Sequence, residues 1–328
     1  MKGFVDLQVN GYLGIDFSEP GLKLDQVREV VERLRERGTV AFCPTMITSS
    51  ETAYEQNLPV LAQALKEPDL TPHLLGIHLE GPFISPEDGA RGAHDRGWVL
   101  NPDVELYEKF RRLAEDQVCL VTVAPERPGA EELIRHIRVT GAAVSLGHHY
   151  ADARAISRSC ELGACAATHL GNGIPNHMPR HPNPIWYQLD EDRLVAMVIV
   201  DGHHVPDEFV RVVARVKGLK QFIVVSDAAP VAGMPPGRYD TLGQSVVLEE
   251  SGKLWNPEKN CLAGSSASMM ECMNHLAAIS SLREDELWLV GYRNPLALIG
   301  KQLEDERLAH LPPVVFQDRR FAVGGAAR

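Results

Sequence analysis

The stretch Gly76-Ile77-His78-Leu79-Glu80-Gly81-Pro82 decides the reading of this chain. With Leu74 and Leu75 before it, the run is apolar, ends in a carboxylate and then turns sharply at Gly-Pro. An acid at the tip of a buried strand has little structural reason to be there. It stands where a parallel barrel of alternating strands and helices keeps its chemistry. Such a barrel requires other strands to bring polar groups to the same rim.

The flanking sequence supplies those strands. Apolar runs at 3–11, 40–46, 118–124, 142–147, 166–170, 195–200 and 222–225 alternate with helical periodicity at 24–37, 51–66, about 103–115, 130–139, 151–162 and 206–216. Counting the Glu80 strand, eight strands alternate with helices, which points to an α/β fold, a (β/α)8 TIM-like barrel. The 171–188 stretch reads as one long loop, too polar and proline-rich for a regular element. The barrel is expected over 1–236 and 261–300, with a β-hairpin insertion at 237–260, where Ser251-Gly252 and Asn256-Pro257 mark turns. Residues 268–280 and 284–299 read as two further helices. A short tail at 301–328 ends in one last strand around Val314–Phe321.

The strand ends are chemically loaded. Gln8 and Asn10 close strand one, Glu80 strand three, His148 strand five and His169 strand six. Asp201, His203 and His204 follow strand seven, and Asp227 follows strand eight. Two imidazoles and a carboxylate are a set suited to a catalytic divalent metal, which needs three protein ligands and an open place for water. Asp227 could take a proton from such a water. His149 and His203, each beside a stronger candidate, point the other way in an extended strand and read as packing residues.

The bulk composition is consistent with this and excludes other classes. Net charge is −11 and mean hydropathy −0.15, which argues against nucleic acid or an anionic membrane surface as partner. One local arginine can still hold a phosphate against that background. The six cysteines form no C-x-x-C pair and read as reduced thiols of a cytoplasmic protein. No targeting segment or long apolar run is visible.

Taken in order, the motifs resemble one family. Gln8-Val9-Asn10-Gly11, His78-Leu79-Glu80-Gly81-Pro82, Gly92-Ala93-His94, Gly147-His148, Ala167-Thr168-His169-Leu170-x-Asn172, Asp201-Gly202-x-His204, Ser226-Asp227-Ala228 and Ala263-Gly264-Ser265-Ser266 resemble the N-acetylglucosamine-6-phosphate deacetylase family of the amidohydrolase superfamily. The resemblance spans about residues 3 to 280. It implies that Glu80, His148 and His169 bind a metal and that Asp227 is the catalytic aspartate. His94 and His204 match sugar and acetyl-carbonyl contacts, His204 also assisting the chemistry. Asn172, Gly173 and Arg180 match the phosphate side, with Ala93 beside His94, and Leu262, Ala263 and Gly264 line the acetyl end. The family's arginine loop comes from the neighbouring subunit, which implies a homodimer.

Many amidohydrolases hold a second metal with His-x-His on strand one. Gln8-x-Asn10 replaces that pair, and amides are poor transition-metal ligands but good hydrogen-bond partners. One divalent ion per chain is therefore expected, zinc or ferrous iron, with Gln8 and Asn10 near its water. The implied reaction releases acetate from an N-acetylated amino sugar phosphate. The sequence departs from the family pattern at its start, where the first half of a small β-domain is absent, and in its abbreviated tail. It departs again at Gly171, at Gly173-Ile174 and over 176–186. Two alternatives follow from these departures: the same hydrolysis on another N-acyl sugar or amine, or a sugar-phosphate-binding protein with a decayed site.

Overall fold

The computed structural model describes residues 1–303 and 305–324; position 304 and residues 325–328 of the expected tail lie outside the described residues. Eight parallel strands form one sheet in sequential order: β1 (Phe4–Val9), β2 (Thr39–Ile47), β3 (Ile77–Glu80), β4 (Val118–Val123), β5 (Ala143–Leu146), β6 (Ala164–Ala167), β7 (Val195–Ile199) and β8 (Phe222–Val225). The sheet curls until its ends meet, and Val9 bridges Ala228 just past β8. Along the rest of this seam a side chain replaces the backbone ladder. The buried Asp6 carboxylate on β1 accepts from the Ser226 backbone N–H at 3.2 Å and from the Ser226 hydroxyl.

One apolar cluster draws Leu7, Cys43, Cys119, Ala143, Ala166, Met197 and Ile223 from seven of the eight strands. Side chains contributed from all round a closed sheet meet inside it, so the barrel is a packed core and not a pore. The connecting helices cover the outside: α1 (Leu24–Glu36), α2 (Glu51–Ala64), α3 (Val104–Leu113), α4 (Ala130–Thr140), α5 (Ala153–Glu161), α6 (Pro184–Asp190), α7 (Asp207–Lys217) and α8 (Met269–Ile279). In α1, Val27, Val30, Val31 and Leu34 recur every three or four residues and are the buried face.

Four expectations need correction. The 171–188 stretch is not all loop, because α6 starts inside it: Asn183 caps its first turn and Pro184 sits at the first helical position. The insertion is not a hairpin but four antiparallel strands, β9 (Gly237–Thr241), β10 (Gln244–Leu248), β11 (Leu254–Asn256) and β12 (Cys261–Leu262). The helix at 284–299 is broken into Glu284–Trp288, a π-helical turn at Leu289–Arg293 and Asn294–Leu298.

The tail forms a hairpin, β13 (Val314–Gln317) and β14 (Arg320–Val323), because Asp318 and Arg319 both adopt left-handed backbone, φ 51° and 59°, and turn the chain in two residues. Phe321 of that hairpin packs edge-on against Phe4, ring centroids 4.9 Å apart, at the start of β1. The tail thus covers the end of the barrel away from the strand tips. The β9–β12 sheet covers the other end: Val246, Leu248 and Leu254 pack on Ala229 and Val231, just past β8. No helix among the described residues is long and apolar enough to cross a membrane.

Candidate active site

The strand tips open into a cavity of about 450 Å³. Glu80, the last residue of β3, meets His148 and His169, which lie two residues beyond β5 and β6. His148 Nε2 is 3.2 Å from Glu80 Oε1, His169 Nε2 is 3.0 Å from the same oxygen, and the two nitrogens are 3.0 Å apart. Among the described residues this is the one group of side chains arranged to hold a metal ion. A larger groove of about 710 Å³, between the Gly14–Leu22 loop and the β9–β12 sheet, has no such cluster.

The donor set fits a divalent cation on two grounds. His148 Nδ1 lies 3.0 Å from the Ala90 carbonyl, so that nitrogen carries the proton and Nε2 turns its lone pair to Glu80. Lone pairs facing a carboxylate at contact distance call for a positive charge between them. Secondly, a tetrahedral ion with ligands at about 2.0–2.1 Å spaces those ligands roughly 3.3 Å apart, close to the triangle observed.

Backbone strain marks the same place. His148, His169 and Asp227 have φ of 51°, 29° and 52°, the left-handed region that non-glycine residues avoid. Each such residue costs on the order of 1–3 kcal/mol and persists only where its surroundings over-determine it. Gly173 completes the cradle, with φ 59°; a Cβ there would lie 3.0 Å from His148 Nδ1 and 3.0 Å from His169 Cε1.

Asp227 is bound from below. Its Oδ1 accepts from the side-chain amides of Gln8 at 2.9 Å and Asn10 at 2.8 Å, and Gln8 Nε2 also donates to Glu80 Oε1 at 2.8 Å. Burial, reinforced by the Glu80 charge, pushes the Asp227 carboxyl up to about 7. Beneath the triad His78 bonds Thr122 at 2.9 Å and Thr122 bonds Thr168 at 2.9 Å, and burial lowers His78 to about 4, keeping it neutral.

No family model matches the chain. The chain is 33% identical over 309 residues to the N-acetylglucosamine-6-phosphate deacetylase of Bos taurus, covering 91% of this chain and 74% of that protein. It is 33% identical over 304 residues to the enzyme of that name from Bacillus subtilis, covering 92% and 75%. The chain belongs to the N-acetylglucosamine-6-phosphate deacetylase family.

Solved deacetylase structures share the fold. The enzyme from Mycobacterium smegmatis, with an aspartate replaced by alanine and in complex with N-acetyl-D-glucosamine-6-phosphate, superposes with a TM-score of 0.84 at 26% identity, covering 92% of this chain and 77% of that one. The deacetylase from Pasteurella multocida gives 0.84 at 27% identity, covering 99% and 85%.

Most residues expected from the deacetylase pattern reach the cavity. Asn10, Ala93, His94, Asn172, Gly173, His204, Leu262 and Gly264 line it alongside the triad and Asp227. His94 lies edge-on to His148, ring centroids 4.2 Å apart, and its Nδ1 has no hydrogen-bond partner among the described residues. Ala263 is buried behind the wall, packed with the β9–β12 cluster, and Gln8 acts from beneath through its amide. Arg180 is exposed and does not line the cavity of its own chain; its carbonyl caps back onto Asn183 and Trp186. His149 and His203 are outside the lining, with His149 Nδ1 accepting from the Ala151 N–H and His203 Nε2 held at the Ser251 carbonyl. What deacetylase-pattern reasoning missed is the carboxylate behind His204: Asp201 Oδ2 is 2.7 Å from its Nδ1. The Asp-x-x-His spacing within one turn was the available signal.

Proposed function

We propose that this chain hydrolyses the N-acetyl amide of N-acetylglucosamine-6-phosphate to glucosamine-6-phosphate and acetate, with one zinc or ferrous ion held by Glu80, His148 and His169. The reading is carried by the convergence of those three side chains and Asp227 on one cavity in a chain of this family. When bound, the ion supplies Lewis-acid activation of water and of the amide carbonyl at neutral pH.

The protein's own groups do the rest. Asp227, anchored through Oδ1, keeps Oδ2 for the cavity, where it takes the proton of the attacking water and returns it to the departing amine. His204, held at Nδ1, directs Nε2 to the oxygen on which negative charge develops. His94 and Ala93 bind the sugar, Asn172 and Gly173 lie on its phosphate side, and Leu262 and Gly264 bound the acetyl end. A single ion is supported by the Gln8 amide, which donates to both Glu80 and Asp227 and sets N–H groups where a second cation would have to sit.

Among the described residues the lining of one chain's cavity includes no lysine or arginine. The exposed Arg180 supports a homodimer in which each subunit's loop brings it to the other's phosphate. The same bare lining favours a second reading, an unphosphorylated N-acetyl sugar as substrate. The six cysteines are all free thiols, which supports a cytoplasmic setting. Acetate release from N-acetylglucosamine-6-phosphate and from N-acetylglucosamine, measured for the parent and Arg180→Ala, tests this. The phosphorylated sugar is expected to be preferred, and the variant to lose that preference. Equal rates in the parent favour the second reading, and no acetate from any N-acyl amine overturns both.

A further inference from the structure

We propose that Asp201 is a positioning residue that keeps His204 doubly protonated, with Nε2–H directed into the cavity. This rests on the hydrolase reading above and adds to it a residue that acts through His204 without touching substrate.

The turn after β7 is built around that carboxylate. Asp201 Oδ1 accepts the backbone N–H of His203 at 2.9 Å and of His204 at 3.0 Å, and Oδ2 is left facing His204 Nδ1 at 2.7 Å. The two side chains are 3% and 5% exposed, so neither has water to substitute for the other. Gly202, φ 81°, makes the turn possible, because a Cβ there would lie 3.1 Å from His275, itself held by Asp207 at 2.9 Å. His203 turns away to the Ser251 carbonyl.

A carboxylate bonded by two N–H groups stays ionised, and its third partner must then be a donor, so the proton sits on His204 Nδ1. A neutral imidazole in that tautomer would show the cavity a lone pair, useless to a developing oxyanion. Only the imidazolium offers Nε2–H. Two carboxylates face the ring, Asp201 from its own turn and Asp227 from the end of β8, and together they favour the charged ring. Burial acts the other way, yet His204 is raised above its ordinary value, chiefly by Asp201. In the same pair the Asp201 carboxyl is held well below the carboxylate range by the imidazole, against the effect of its burial.

Three variants in the metal-loaded protein test this: Asp201→Asn, His204→Asn and the double variant. For Asp201→Asn, kcat is expected to fall ~10–100-fold with KM nearly unchanged, the range lost when a partner that orients an active group is removed. The double variant is expected to be no slower than His204→Asn alone, since Asp201 has nothing left to act through. The His204 ring-proton titration followed by NMR is expected to move down by at least about one unit in Asp201→Asn. Losses that multiply in the double variant, or an unmoved midpoint, would reduce Asp201 to a turn-capping residue and overturn the proposal. Should Asp201→Asn not fold, the parent's own midpoint decides: above ~7, where the ring is mostly charged at neutral pH, supports the proposal, and below contradicts it. If the parent releases no acetate, the hydrolase reading fails, and the titration still judges the pair.

Discussion

Asp227 and Gly173 show how single residues set the chemistry. Asp227 takes its position from two amides on β1, and its replacement by asparagine preserves shape while removing the proton acceptor. Asp227→Asn is expected to retain the bound metal and lose at least ~10³-fold in kcat, within the effect of removing a general base that also delivers the leaving-group proton. Metal content and steady-state rates of the same sample check this; a variant with parental turnover would remove Asp227 from the mechanism. Gly173→Ala is expected to act on the ion instead. A methyl group within about 3 Å of both imidazoles, on left-handed backbone, must displace one of them. Competition with a chelator should show metal affinity reduced ~10–100-fold, as when a ligand's orienting contacts are lost; parental affinity would show that the two imidazoles accommodate the methyl group.

At the scale of elements, the seam between β1 and β8 carries a pH dependence. Burial raises the Asp6 carboxyl from 3.8 to about 6, although Ser226 and Gln8 hydrogen-bond to it. The folded chain therefore holds this proton to higher pH than the unfolded chain does. Its contribution is fully present below about pH 4 and is lost as pH rises through about 6, some ~3 kcal/mol in all. Asp16, raised to about 6 by burial, acts in the same direction and is untouched by a change at position 6. Asp6→Asn is thus expected to gain on the parent in thermal midpoint as pH rises from 4 to 7. A constant difference across that range would show that Asp6 is not the titrating group.

The elements themselves were unequally legible. Strands such as Phe222–Val225 announce themselves because burial on both faces demands an unbroken apolar run. The α6 helix was hidden because its Asn183-Pro184 start sits among prolines that elsewhere mark loop. The tail hairpin was hidden because Asp318 and Arg319 take backbone that glycine usually supplies.

For the whole molecule, the barrel turns eight local strand ends into one site, and the sequence made that site readable because each polar residue interrupts an apolar run. Glu80, His148 and His169 could be picked out in this way, although they are up to 89 residues apart. The pairing of Asp201 with His204 was signalled only by the Asp-x-x-His spacing, because the contact itself depends on side-chain direction within a turn. The two sheets outside the barrel divide the work: β9–β12 closes the mouth over the cavity, and β13–β14 seals the far end against Phe4. The hydrolase reading of this barrel rests on one ion held by three side chains at the mouth. Acetate release from N-acetylglucosamine-6-phosphate, followed as the chelated protein is titrated with zinc, tests it most directly. Release is expected to vanish on chelation and to return in proportion to zinc up to one equivalent per chain. Release that persists in the metal-free protein, or that needs two equivalents, would contradict it.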